Sequence, residues 1–137
     1  MMTRTVTVGA AQMGPIARDE SRELVVERLR RLPSEAVAVG CDVVVFPELA
    51  LTTFFPRWYT PDLDGHDSYF ETSMPNDVVQ PLFDDAARTG CGFCLGYAEL
   101  TPDGHRYNTY VLVDGTGAIV GRYRKVHIPG HADHQPE

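Results

Sequence analysis

Glu48 and Lys125 are the residues of this 137-residue sequence whose type and setting most suggest chemistry. Glu48 follows the apolar run Val43-Val44-Val45-Phe46 and Pro47, and further apolar residues follow it in "FPELALTTFFPRW". A carboxylate beside a core is unfavourable unless it is paired or hydrogen-bonded. Lys125 and His127 stand in "GRYRKVHIPG", residues 121–130, where alternation puts both on one face of an extended segment. A carboxylate and an ammonium sharing a dry pocket can act as general base and fixed cation, since an apolar wall raises the acid's pKa and the cation lowers it again. The plainer reading of Glu48, a carboxylate that caps a helix or turn, is the one that spacing alone favours.

The elements that must position these residues follow from periodicity. Residues 3–13 predict a strand, with Val6, Val8 and Ala10 alternating with Thr5, Thr7 and Gly9 before Gly14-Pro15 ends it. Residues 18–32 carry Leu24, Val25, Leu29 and Leu32 at helical spacing, with Asp19 or Ser21 as the cap. Pro33 predicts a kink or break, and Ser34 a fresh cap for residues 34–39. A strand over 42–46 comes next and presents Glu48 at its C-terminal end, where ligands bind in open α/β sheets. Residues 52–74 are aromatic and irregular, and a long loop of this kind often lines a site. Phe54 and Trp58 are its candidate substrate-wall residues. Residues 75–90 predict a helix with Pro75 near its start and Gly90 as C-cap, with a split at Pro81 into a short turn plus a helix as the alternative. Strands over 91–99, 106–113 and 118–124 are joined by Pro102-Asp103-Gly104 and Asp114-Gly115-Thr116-Gly117, both hairpin signals. The order βαβαβββ implies an α/β domain, a mixed sheet with helices on one face.

Composition narrows the partners. A formal net charge of −7, from 12 basic and 19 acidic residues, argues against a nucleic-acid partner and leaves small molecules open. No run approaches the ~20 apolar residues of a membrane span, and the first residues lack a secretory h-region, so the expected location is cytoplasmic. Three cysteines, Cys41, Cys91 and Cys94, do not suggest a disulfide scaffold. Cys91 and Cys94 have redox spacing, but "CGFCLGYAEL" reads as a strand, which turns residues three apart to opposite faces. Buried structural thiols are the better reading. His127, His131 and His134 could gather Zn²⁺ by spacing, but Pro129 and Gly130 break any helix that would align them. No metal and no cofactor are expected.

"FPELALTTFFPRW" and "GRYRKVHIPGH" resemble the first two motifs of the nitrilase, or carbon–nitrogen hydrolase, superfamily. "VGAAQMGPIAR", "GYAEL" and "YNTYVLVDGTGAIVGRYRK" extend the resemblance over nearly the whole chain, which is most similar to the N-carbamoyl-D-amino-acid amidohydrolase branch. The resemblance implies an α-β-β-α sandwich, homo-oligomers among full-length members, and a Cys-Glu-Lys mechanism. Glu48 then maps to the general base and Lys125 to the donor that steadies the tetrahedral intermediate. His127 maps near the substrate end of the pocket, and Asn108 is given a supporting role as an amide tying its strand to a loop. The implied reaction releases the amino acid, CO₂ and ammonia from an N-carbamoyl amino acid.

The family's third motif carries the nucleophilic cysteine a few tens of residues after the lysine, and only 12 residues follow Lys125 here. Cys41, Cys91 and Cys94 all precede Lys125 and do not match it. Glu137 does not match the family's second, supporting glutamate. Residues 1–137 therefore read as one carbon–nitrogen hydrolase domain truncated at its C-terminus, the N-terminal half of the sandwich, expected to be inactive alone. The competing expectation is a non-catalytic binding or assembly remnant of the same fold.

Overall fold

A computed structural model describes residues 3–58 and 64–127. Five strands, β1 (Val8–Ala10), β2 (Val43–Val45), β3 (Gly92–Leu100), β4 (Arg106–Val113) and β5 (Ile119–Arg124), form one sheet in chain order. The pairs β1–β2 and β2–β3 are parallel, while β3–β4 and β4–β5 are antiparallel hairpins. Each parallel pair is connected through a helix, α1 (Arg22–Ala38) before β2 and α2 (Gln80–Thr89) before β3. The sheet is thus mixed, as the element order implied.

Residues paired across strands share a face. Val44, Phe93, Leu95, Val111 and Val113 lie on one side, where Val25, Val26 and Leu29 of α1 and Leu82, Phe83 and Ala86 of α2 cover them. All of these side chains are buried, and the Phe83 and Phe93 rings meet edge to face with centroids 5.1 Å apart. Arg30 of α1 reaches Asp85 of α2 at 2.6 Å, locking the two helices side by side. The opposite face carries Val8, Val45, Leu112 and Tyr123, all substantially exposed.

Ser21 caps α1 by accepting the Leu24 N–H. The break expected at Pro33 does not occur, and α1 runs through it as one helix. Pro33 is buried and Leu32 and Ala36 pack on the core, so burial outweighs the lost backbone hydrogen bond. Ser34 caps nothing and instead donates to the Arg30 carbonyl. The second helix starts later than residue 75: Pro81 opens its first turn, where a missing N–H does no harm. Asn76 organises the residues before it, its side-chain oxygen accepting the N–H groups of Val78 and Val79. Gly90 closes the helix at φ 74°, the left-handed conformation expected of a C-cap glycine.

Candidate active site

The chain leaves β2 through a tight turn that stays bonded to β3. Phe46 N–H donates to the Cys94 carbonyl and Ala50 N–H to the Gly96 carbonyl. Between them Leu49 takes φ +50°, a left-handed conformation that is strained for a branched side chain. Its side chain is buried with Phe55 and Ala98, so packing holds the turn that turns Glu48 over the sheet. Gly96 lies directly beneath: a Cβ there would stand 2.9 Å from the Tyr110 ring and 3.1 Å from Leu49 N.

Glu48 meets two donors on one oxygen. Lys125 Nζ and Asn108 Nδ2 each lie 2.6 Å from Glu48 Oε1. The Glu48 and Lys125 side chains are about one-third exposed, so a small molecule can reach them. Asn108 lies on β4 opposite Ala98, and its backbone carbonyl accepts the Lys125 N–H at 2.8 Å. One residue thus binds the Glu48 carboxylate with its side chain and the lysine's strand with its main chain. Because a carboxylate only accepts, the Asn108 amide must present its NH₂ to Glu48. That leaves its Oδ1 buried without a hydrogen bond. Two donors on Oε1 leave Oε2 as the oxygen free to take a proton.

The surroundings are aromatic and apolar. Burial pushes the Tyr110 hydroxyl to a higher pKa, and the neighbouring Glu48 carboxylate adds to this. Trp58 packs against the Leu49–Phe55–Ala98 cluster beside the site, with the Arg18 guanidinium 4.4 Å from its ring centroid. Phe55 and Tyr69 stack at 5.0 Å within the same cluster. Phe54 is half-exposed at the loop's surface, and His127 is exposed two residues past Lys125. Neither has a polar or ring contact with Glu48 or Lys125 among the described residues. The structure therefore joins Glu48, Lys125 and Asn108 directly, sets Trp58 against the turn, and leaves Phe54 and His127 at the periphery. Asn108 was assigned only a supporting tie by the sequence, and Tyr110 no role at all. The one signal for Asn108 was its place in "YNT" on the strand one hairpin turn before the lysine's, and spacing does not show that its side chain reaches across to β2.

The cysteines are free. Burial pushes both the Cys91 and Cys94 thiols upward, the opposite of what an activated nucleophile needs. His131 and His134 lie outside the described residues. Among the described residues no group of three or more His, Cys, Asp or Glu side chains gathers at metal-binding distance. No described helix is long and apolar enough to cross a membrane.

The sheet thus sets the Glu48 carboxylate, just past the parallel strand β2, against the Lys125 ammonium, just past the antiparallel strand β5. Residues 7–137 match the family model for carbon-nitrogen hydrolase, and the chain belongs to that family. It is 30% identical to an aliphatic nitrilase of Rhodococcus rhodochrous over 138 residues, covering 96% of this chain and 37% of that protein. A nitrilase of Bacillus sp. (strain OxB-1) is 29% identical, with 87% of this chain and 36% of that protein covered. Among solved structures, a carbon-nitrogen hydrolase from Helicobacter pylori G27 superposes with a TM-score of 0.70 at 22% identity, over 90% of this chain and 40% of that one. Saccharomyces cerevisiae Nit3, of branch 10 of the nitrilase superfamily, gives 0.71 at 21% identity, over 89% and 44%. These structures share the fold. The chain spans roughly two-fifths of the length of the curated relatives it matches, between 36% and 42%.

Proposed function

We propose that this chain supplies the base and oxyanion side of a carbon–nitrogen hydrolase that cleaves N-carbamoyl amino acids, the D-series first among them. The observation that carries this reading is the double contact on Glu48 Oε1 from Lys125 and Asn108. It orients the carboxylate and leaves its second oxygen to act as general base. Glu48 takes the proton of a cysteine thiol supplied by sequence beyond these 137 residues. The thiolate attacks the carbamoyl carbon, and Lys125 steadies the oxygen that becomes negative. Glu48 then returns a proton to the departing nitrogen and later activates the water that frees the enzyme. One water is consumed for each amino acid, CO₂ and ammonia released. Trp58, Phe54 and His127 form the outer wall of the pocket in this reading. Residues 1–137 form the N-terminal part of a single domain whose remainder packs on the exposed sheet face.

The test is ammonia release from N-carbamoyl-D-phenylglycine by the protein expressed with all coding sequence downstream of codon 137. Glu48→Gln and Lys125→Met should each abolish turnover, and the 137-residue chain alone should show none above background. Turnover that survives Glu48→Gln would overturn the assignment of the base. The nitrilase relatives motivate an aliphatic nitrile as the comparison substrate. Turnover of the nitrile alone would change the substrate class and keep the roles of Glu48 and Lys125. A complete protein inactive on both would favour the non-catalytic reading.

A further inference from the structure

Glu99 is a buried carboxylate on the opposite face of the sheet from Glu48, and it has no part in the chemistry proposed above. Its side chain is only 7% exposed, yet it collects two arginines and a hydroxyl. Arg124 binds it as a fork, Nε to Oε2 at 2.8 Å and Nη2 to Oε1 at 2.9 Å. Arg122 Nη1 reaches Oε1 at 3.1 Å, and the buried Thr109 hydroxyl donates to Oε2 at 2.7 Å. The Arg124 fork holds the Glu99 carboxyl below the usual carboxylate range, against the opposing effect of burial.

The place of this cluster explains its use. Arg124 is the last residue of β5, and Lys125 follows it immediately. Adjacent residues of an extended chain point to opposite faces, so anchoring one side chain sets the direction of the next. Strand pairing ends here too: one bond, Lys125 N–H to the Asn108 carbonyl, continues the ladder past Arg124. The strand β4 shows the same division. Tyr107 lies under the Arg124 guanidinium, 4.1 Å from ring centroid to carbon, and Thr109 bonds Glu99. Asn108 between them points to the other face and bonds Glu48.

We infer that Glu99 is a positioning residue for Lys125: by clamping Arg124 from the far side of the sheet, it fixes the end of β5 so that the Lys125 ammonium meets Glu48. The inference rests on the proposed roles of Glu48 and Lys125, but its test reads geometry and needs no turnover. A bidentate guanidinium fork suits this task because its planar donors fix orientation as well as distance.

Lys125 is the only lysine in the sequence. The 137-residue chain grown with ¹³Cε-lysine therefore gives one lysine signal by NMR. Its position in Glu48→Gln marks the unpaired ammonium. In Glu99→Gln, which keeps shape and loses the charge, the signal should move most of the way toward that mark. Arg124→Gln should do the same, while Glu99 there remains bound to Arg122 and Thr109. Arg30→Gln, which breaks the Asp85 pair between the helices, should leave the signal in place. Circular dichroism establishes that each variant is folded. A signal unmoved in a folded Glu99→Gln or Arg124→Gln protein overturns the inference, as does an equal movement in Arg30→Gln. If neither Glu99→Gln nor Arg124→Gln folds, the cluster is a general structural support and the inference also fails. Loss of the proposed function instead shows as turnover that persists in Glu48→Gln, whatever the lysine signal does.

Discussion

Replacing Arg22 with methionine should destabilise the fold by about 3–4 kcal/mol, near the lower end of what losing one partner of a buried pair costs. Arg22 opens α1 and reaches three separate places. Nη1 donates to the Leu51 carbonyl at 2.5 Å, Nη2 to the Ser68 carbonyl at 3.1 Å, and Nε stands 2.6 Å from Glu71 Oε1. Glu71 Oε1 is buried and accepts no hydrogen bond, so the contact is a charge contact and Arg22 alone compensates that oxygen. Asn76 Nδ2 still serves Oε2 at 2.6 Å, and Arg22 keeps some access to water, which together place the expected cost toward the low end. With a urea slope of about 2 kcal/mol per molar, the unfolding midpoint should fall by roughly 1.5–2 M. Adding Glu71→Gln to Arg22→Met removes the stranded charge and should recover about 1–2 kcal/mol, a coupling that a double-mutant cycle reads directly. A single-variant loss below about 1 kcal/mol, or a second substitution that restores nothing, would refute the claim that an uncompensated buried carboxylate dominates the effect.

Gly96→Ala should cost about 1–3 kcal/mol, as overpacking does, because the new Cβ meets the Tyr110 ring and the Leu49 amide; a thermal midpoint equal to the parent's would show that the turn can give way. Stability should also fall in acid. Arg30 holds the Asp85 carboxyl low, and Arg124 does the same for Glu99, with burial opposing in both. Folded values below the unfolded ones mean that the stabilisation is complete above about pH 5 and is lost as pH falls through the unfolded and then the depressed values. Thermal melts across that range should show the loss, and Glu99→Gln should flatten it; an unchanged acid limb in that variant would count against the clamp's contribution.

Much of this architecture was legible because it is local. The continuous apolar, β-branched run Val43–Phe46 and the turn residues around Gly104 and Gly117 announce β2 and the two hairpins, and Gly104 and Gly117 both adopt positive φ. Pro33 misled, because it sits inside a helix where its buried side chain belongs to the core. At Pro81 the split that its position suggested does occur, with a short turn before it and α2 from Gln80 onward. Glu48 and Lys125 were recognisable from their motifs, but their partners were not. Asn108 reaches Glu48 across 60 residues, Arg124 reaches Glu99 across 25, and Arg22 reaches Ser68 across 46. No periodicity within one element encodes such meetings, since they depend on sheet order and register.

The bond from Lys125 to Glu48 joins residues 77 apart, whereas β3, β4 and β5 pair through short turns. Loop-closure entropy lets near pairings form early and delays distant ones. The meander that carries Asn108 and Lys125 can therefore assemble before the crossover through α2 brings β2 to its edge. On that order the ammonium waits in water for its carboxylate, and pulsed acylation read at the single lysine would time the meeting. The contact forms only when the long crossover has closed, so a protected lysine would mark a chain that has completed its slowest folding step.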